Sequence, residues 1–246
     1  MCNLFTSVSL ENTSKCNRKC SYCPNSIIGR PEADMDINLY HKIVDELSEI
    51  HFNGRFTPHF YGEPLLDKRM VELIKYTRKK IPKAYIVIFT NGDFLDYNLF
   101  CKLIESGVDY FQISQHSKEM SATLISLFNS ITLKQSKKIK FINMYKKKDL
   151  INRGGIVNIP KQNSIKMFIK KIYRWVKPVC FVNAITIDYE GNCVLCCNDY
   201  LSSVKFGNVK SENIVDIWNK TSYQNIRNQL MKENKKTLNI CKMCEN

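Results

Sequence analysis

The sequence predicts an α/β chain built on a parallel sheet, either open or curled towards a barrel, followed by a small cysteine-rich unit. Three observations carry this. Strand-like apolar runs alternate with helix-period runs from residue 4 to about 143. From Cys180 that alternation gives way to a hairpin pattern with closely spaced cysteines. The residues with chemical character, namely Cys16 to Cys23, Glu63, Asn91, Ser114 and His116, follow predicted strands. Ligands bind there in parallel α/β folds.

LFTSVSLEN, 4–12, reads as a first strand running into a cysteine loop. Asp36 is placed to cap a helix whose Tyr40, Ile43, Val44 and Leu47 follow the helical period. RFTPHFYGEP is a short strand ending in a turn, and Asp67 then precedes a helix carrying Met70, Leu73 and Ile74. AYIVIFTNGD is a buried strand closed by Asn-Gly; Asp96 starts the next helix and Gly107 ends it. DYFQISQH and KIKFINMY give two more strands, with a helix around 119–129 between them. Residues 161–177, KQNSIKMFIKKIYRWVK, read as a basic amphipathic helix, either a linker packing Met167, Ile172 and Trp175 inward or a lid. AITIDYEGNCVLCCNDY reads as a hairpin turning at Glu190-Gly191, SENIVDIWN and 222–232 as short helices, and CKMC closes the chain.

Composition narrows the functional class. A chain of 246 residues at 44% hydrophobic can bury a proper core. Without a membrane-length apolar run or a signal peptide, a cytoplasmic location is expected. The charge of +14 is scattered in short runs such as Lys146-Lys147-Lys148, which reads as solvated surface; nucleic acid is not the expected partner. Eleven cysteines in a reducing compartment point to metal or redox chemistry rather than disulfides.

In KCNRKCSYCPN, Cys16, Cys20 and Cys23 fall within eight positions, with Tyr22 before the last. A four-iron cubane needs a ligand for each iron, so three thiolates leave one iron open to a small molecule. A zinc knot borrowing a distant ligand is the rival reading. At the other end, Cys180, Cys196, Cys241 and Cys244 suit either an iron–sulfur cluster or a structural zinc ribbon.

The Cys-x3-Cys-x2-Cys loop after a first strand resembles the signature of the radical S-adenosylmethionine (SAM) enzymes. The resemblance implies a partial (β/α)6 TIM-type barrel in which SAM chelates the open iron. HFYGEPLL resembles that family's Gly-Glu-Pro turn, so Gly62, Glu63 and Pro64 are expected to hold the SAM amino group. Tyr22 is expected against the adenine, Ser114 and Gln115 near the ribose, and Asn91 among the cofactor contacts. The Cys-x10-Gly-x4-Cys…Cys-x2-Cys arrangement resembles the "twitch" region, the short form of the SPASM extension. It implies a closed auxiliary [4Fe–4S] cluster on Cys180, Cys196, Cys241 and Cys244. With the chain ending at Asn246, a single auxiliary cluster is expected. The implied domains are a radical SAM core at 1–160, a basic linker or lid at 161–179 and a twitch unit, hairpin plus helix, at 180–246.

CNRKCSYCPNS, HFYGEPLL, TNGDFL, NRGGIVNIP and GNV…IVDIW together resemble, nearly end to end, the 2-deoxy-scyllo-inosamine dehydrogenase branch of that family. This implies a dehydrogenase in which a 5′-deoxyadenosyl radical abstracts hydrogen from a secondary alcohol of an aminocyclitol or sugar, giving a ketone. The auxiliary cluster takes the second electron, Arg153 lies near the substrate hydroxyl, and an external reductant of flavodoxin or ferredoxin type supplies the first electron. The branch departs from this chain at an insertion within 161–177, at Phe89, which replaces an aromatic hydroxyl, and at Ser9 and Asn198, which replace acidic residues. Two rivals remain within the enzyme class: an epimerase using Cys197 or Cys193 as hydrogen donor, and a peptide-modifying maturase. The second is disfavoured because only 15 residues precede Cys16, too few for a leader-binding domain.

Overall fold

The computed structural model describes residues 4–146, 150–158, 182–232 and 238–244. The expected helix at 161–177 and Cys180 lie outside the described residues. Eight strands form one sheet in the order β5-β4-β3-β2-β1-β6-β7-β8. They are β1 (Ser7–Leu10), β2 (Arg55–Thr57), β3 (Tyr85–Thr90), β4 (Tyr110–Gln115), β5 (Ile139–Asn143), β6 (Ala184–Ile187), β7 (Asn192–Val194) and β8 (Lys205–Asn208). All neighbours from β5 through β1 to β6 are parallel, and β6, β7 and β8 pair antiparallel. The sheet is open, with β5 and β8 at its edges, as a partial barrel requires.

Two faces of this sheet have different chemistry. Val8, Leu10, Phe56, Ile86, Ile88, Phe111 and Ile113 alternate onto the side that packs against the helices. Ser7, Ser9, Arg55, Thr57, Phe89, Gln112 and Ser114 take the intervening positions and line the concave side. A polar concave face is what a ligand chamber requires.

The helices justify their sequence signals one by one. In α1 (Ile37–Glu49), Asp36 accepts from the backbone N–H of Asn38 and Leu39, and Leu39, Tyr40, Ile43, Val44 and Leu47 are buried. Such a cap contributes about 1 kcal/mol. In α3 (Tyr97–Ser106), Asp96 accepts from Leu99, and Gly107 ends the helix at φ +113°, a conformation favouring glycine. α4 (Ala122–Ser130) is capped by Ser121, and a further short helix, α5 (Leu133–Ser136), precedes β5.

Asp67 precedes a helix, as expected, and has a second task in the turn before it. It ends a single 3-10 turn, Pro64–Leu66, and α2 (Met70–Lys80) begins three residues later. Its buried carboxylate pairs with Arg69 at 2.9 Å and accepts from Asn12 Nδ2 at 3.2 Å. Asn12 Nδ2 also donates to the Pro64 carbonyl at 3.3 Å, so Asp67 fixes the 62–66 turn against the exit of β1.

The C-terminal hairpin is part of the same sheet. β6 joins β1 in register from Ser7↔Ala184 to Leu10↔Ile187, and β8 adds a strand that the sequence pattern did not announce. Helices α6 (Ile214–Asn219), α7 (Thr221–Met231) and α8 (Asn239–Met243) follow. No helix of the described residues is long and apolar enough to cross a membrane.

Candidate active site at the strand ends

Beyond Leu10 the chain does not reach solvent: Glu11, Asn12, Thr13 and Ser14 are all buried. The cysteine loop then rises over the 62–66 turn. Glu63 N–H donates to Lys15 O at 2.7 Å, and a Cβ on Gly62 would lie 1.9 Å from Thr13 O. Position 62 must therefore be glycine for two backbones to cross. The Glu63 carboxylate accepts from Thr90 Oγ1 (2.6 Å), Asn91 N–H (2.8 Å) and Leu65 N–H (3.2 Å). Burial outweighs those donors and pushes its pKa up to about 7.

Asn91 also donates from its side chain to Asn17 Oδ1 at 2.8 Å, tying the end of β3 to the cysteine loop. Arg18 and Asn17 both donate to Asp93, at 2.6 and 2.8 Å, which fixes the same loop a second time. Tyr22 OH meets His116 Nδ1 at 2.6 Å, so Tyr22 spans from the loop to the exit of β4. Ser114 and Gln115 leave opposite faces of β4. Gln115 is spent on the Ser117 and Lys118 carbonyls, while Ser114 faces the concave side.

Cys16, Cys20 and Cys23 are free thiols in this loop, each raised in pKa first by burial, Cys16 to about 11. The negative charges of Cys20 and Cys23 would each raise Cys16 further, so the three sulfurs are neighbours. Among the described residues, no three such side chains are arranged to hold a single metal ion. A cubane presents a separate iron to each thiolate, so its ligands stand further apart than those of one ion. Three reduced thiols on one loop fit a cluster with one open iron.

The second cysteine group forms where distant segments cross. Asn198 donates from its backbone to Cys196 Sγ at 3.4 Å and from its side chain to Cys244 Sγ at 3.8 Å. Cys241 packs against the core on α8. The loop 152–155 lies directly beneath: Asn152 donates to Met243 O at 2.6 Å. A Cβ on Gly154 would come within 2.7 Å of Ile240, and one on Gly155 within 2.9 Å of Met243. Arg153, Gly154 and Gly155 all have positive φ, at 49°, 67° and 92°. That conformation is unusual for arginine, and the crossing holds it there.

Arg153 thereby reaches into the space between the two groups of cysteines. Its guanidinium lies 5.8 Å from the Tyr61 ring and donates to Asn198 Oδ1 at 3.4 Å. Its charge also acts on Cys23 on one side and Cys197 on the other. His59 stands in the same space, its ring 5.7 Å from that of Phe89. Burial, then Arg153, pulls the His59 pKa down to about 4.

A buried network absent from the sequence reading joins both halves. Arg30 donates to both oxygens of Glu11, at 3.2 and 2.6 Å, and lies 4.4 Å over the Tyr200 ring. Glu11 also accepts from the backbone N–H of Tyr61 and Tyr189, and Tyr200 OH donates to Asn25 and to Ile28 O. Burial pushes the Glu11 carboxyl up in spite of Arg30. A glutamate buried at once after an apolar strand was the one signal available for this pair.

Residues 11–167 match the radical SAM superfamily and residues 180–245 match SPASM, an iron–sulfur cluster-binding domain. This chain belongs to the radical SAM superfamily. It is 32% identical, over its whole length and 95% of the relative, to the S-adenosyl-L-methionine-dependent 2-deoxy-scyllo-inosamine dehydrogenase of Niallia circulans. The crystal structure of BtrN in complex with AdoMet and 2-DOIA superposes with TM-score 0.89 at 31% identity, covering 100% of this chain and 95% of that one. A PqqA peptide cyclase of Granulibacter bethesdensis is 27% identical over 61% of this chain and 41% of the relative. As a radical SAM enzyme with a SPASM-type region, the chain is an oxidoreductase whose cofactors are SAM and two [4Fe–4S] clusters.

Proposed function

We propose that this radical SAM enzyme oxidises a secondary alcohol of an aminocyclitol or closely related cyclitol to a ketone. The observation that carries the reading is the position of Arg153, facing one cysteine group through Tyr61 and Cys23 and the other through Asn198 and Cys197. When bound, SAM and the clusters supply a hydrogen-atom abstraction on one side and a one-electron acceptor on the other.

The chain's own residues divide the remaining work. Cys16, Cys20 and Cys23 hold the first cluster and leave a position for SAM. Glu63, framed by Gly62 and Pro64, takes the SAM ammonium; a carboxylate already drawn up by burial gains most from a cation. Asn91 and Tyr22 fix the loop around the cofactor, with Ser114 on the chamber side and Gln115 bracing the exit of β4. Cys180, Cys196, Cys241 and Cys244 hold the auxiliary cluster. Arg153 orients the alcohol oxygen and stabilises negative charge on it, while remaining protonated itself.

The full-length match to a dehydrogenase of a small alcohol, against partial matches to peptide cyclases, favours a small-molecule substrate. An external reductant of flavodoxin or ferredoxin type supplies the first electron. The test is anaerobic turnover of the reconstituted, reduced protein with SAM and 2-deoxy-scyllo-inosamine. Equal amounts of 5′-deoxyadenosine and ketone are expected. SAM cleavage yielding an epimer, or none at all, refutes the reading.

A further inference from the structure

Oxidation of CH–OH to C=O releases a hydrogen atom, an electron and a proton. In the proposed reaction the hydrogen atom ends in 5′-deoxyadenosine and the electron passes to the auxiliary cluster. The O–H proton needs a base, and most groups near Arg153 are unable to serve. Arg153 stays protonated. Glu11 is occupied by Arg30, and Glu63 by Thr90, Asn91 and Leu65. Asp188 is bound within its own turn by Glu190 and Asn192, and by Ser202. His116 is paired with Tyr22, and the Tyr61 hydroxyl is sealed from solvent without a partner.

His59 differs from all of these. It follows β2 at the chamber end, where ring contact with Phe89 turns it to the concave side. Among the described residues no side chain or carbonyl hydrogen-bonds its ring; only its backbone N–H is used, to Thr57 O. His59 as a residue is only half-buried, whereas the Thr57 and Tyr61 hydroxyls are sealed. The Arg153 charge reaches it directly.

We propose that His59 is the proton acceptor of this oxidation, its imidazole taking the hydroxyl proton while Arg153 holds the oxygen. The proposal rests on the alcohol-oxidation reading above. The O–H bond breaks, an N–H bond forms on His59, and the electron pair left on oxygen becomes part of the C=O bond as one electron leaves. Its lowered pKa keeps the imidazole neutral and able to accept. The imidazolium formed beside Arg153 is repelled and passes its proton on.

The test is a single turnover of reconstituted holoenzyme with SAM and 2-deoxy-scyllo-inosamine deuterated at the carbinol carbon. In His59→Gln, deuterium still appears in 5′-deoxyadenosine, while ketone per 5′-deoxyadenosine falls about a hundredfold. Imidazole added to His59→Ala restores ketone. Only four histidines are present, so the ring signal missing in His59→Gln is assignable by NMR and should shift when 2-deoxy-scyllo-inosamine binds. An unchanged ketone ratio in His59→Gln, or no shift of that signal, overturns the role of His59 alone. A wild type that consumes no alcohol removes the alcohol-oxidation reading and the proton acceptor with it.

Discussion

The two cysteine regions are built by different means. Around Cys16–Cys23 the loop is held by polar bonds from nearby strand ends: Asn91 to Asn17, Arg18 to Asp93, Tyr22 to His116. Around Cys196 and Cys244 the site depends on side chains packed onto glycine backbone from far along the sequence, Ile240 against Gly154 and Met243 against Gly155. The first region also rests on one true backbone crossing, Gly62 against Thr13 O. In the second, an added Cβ must push the Ile240 or Met243 side chain aside at a positive φ.

Cys20→Ser should break the comparison most sharply. It should abolish 5′-deoxyadenosine formation and lower iron from about eight to about four per chain, while the SPASM-type cluster remains. Iron and sulfide assays with product chromatography check this. Arg30→Met comes next, because it leaves Glu11 buried without its cation in the network joining both halves. Breaking a buried pair costs about 3–5 kcal/mol, which lowers Tm by roughly 10 °C in a chain of this size. Calorimetry of the loaded protein reads it.

Gly155→Ala should be milder and local. A side chain at φ +92° against Met243 costs about 1–3 kcal/mol, and iron should be lost from the auxiliary site first. Electron paramagnetic resonance separates the two signals. The smallest effect is on pH dependence. The folded pKa of Glu63, about 7, lies above its ordinary 4.5. Between those values the folded state binds more protons than the unfolded one, so this group's contribution makes stability fall as pH rises from 4.5 to 7. Thermal unfolding without SAM should show that component in the wild type and lose it in Glu63→Gln.

The same contrast explains what the sequence allowed. The placement of the Cys16–Cys23 loop and of the 62–64 turn at the strand ends was legible because their motifs are local and the strands before them have clear patterns. Asp67 was legible as preceding a helix, but its bond to Asn12 is set by the tertiary fold and no spacing marks it. The Glu11–Arg30 pair was missed since nothing in a linear spacing marks two side chains, 19 residues apart, that meet in the core. The hairpin at 184–194 was legible as a hairpin, but alternation identifies a strand and not its neighbour, so the β1–β6 pairing was not.

The central claim is that one cysteine region starts the reaction and the other takes its second electron. Cys244→Ala, turned over with SAM and carbinol-deuterated 2-deoxy-scyllo-inosamine, tests it most directly. The account predicts deuterated 5′-deoxyadenosine with ketone lost; ketone still formed one-for-one with 5′-deoxyadenosine would contradict it.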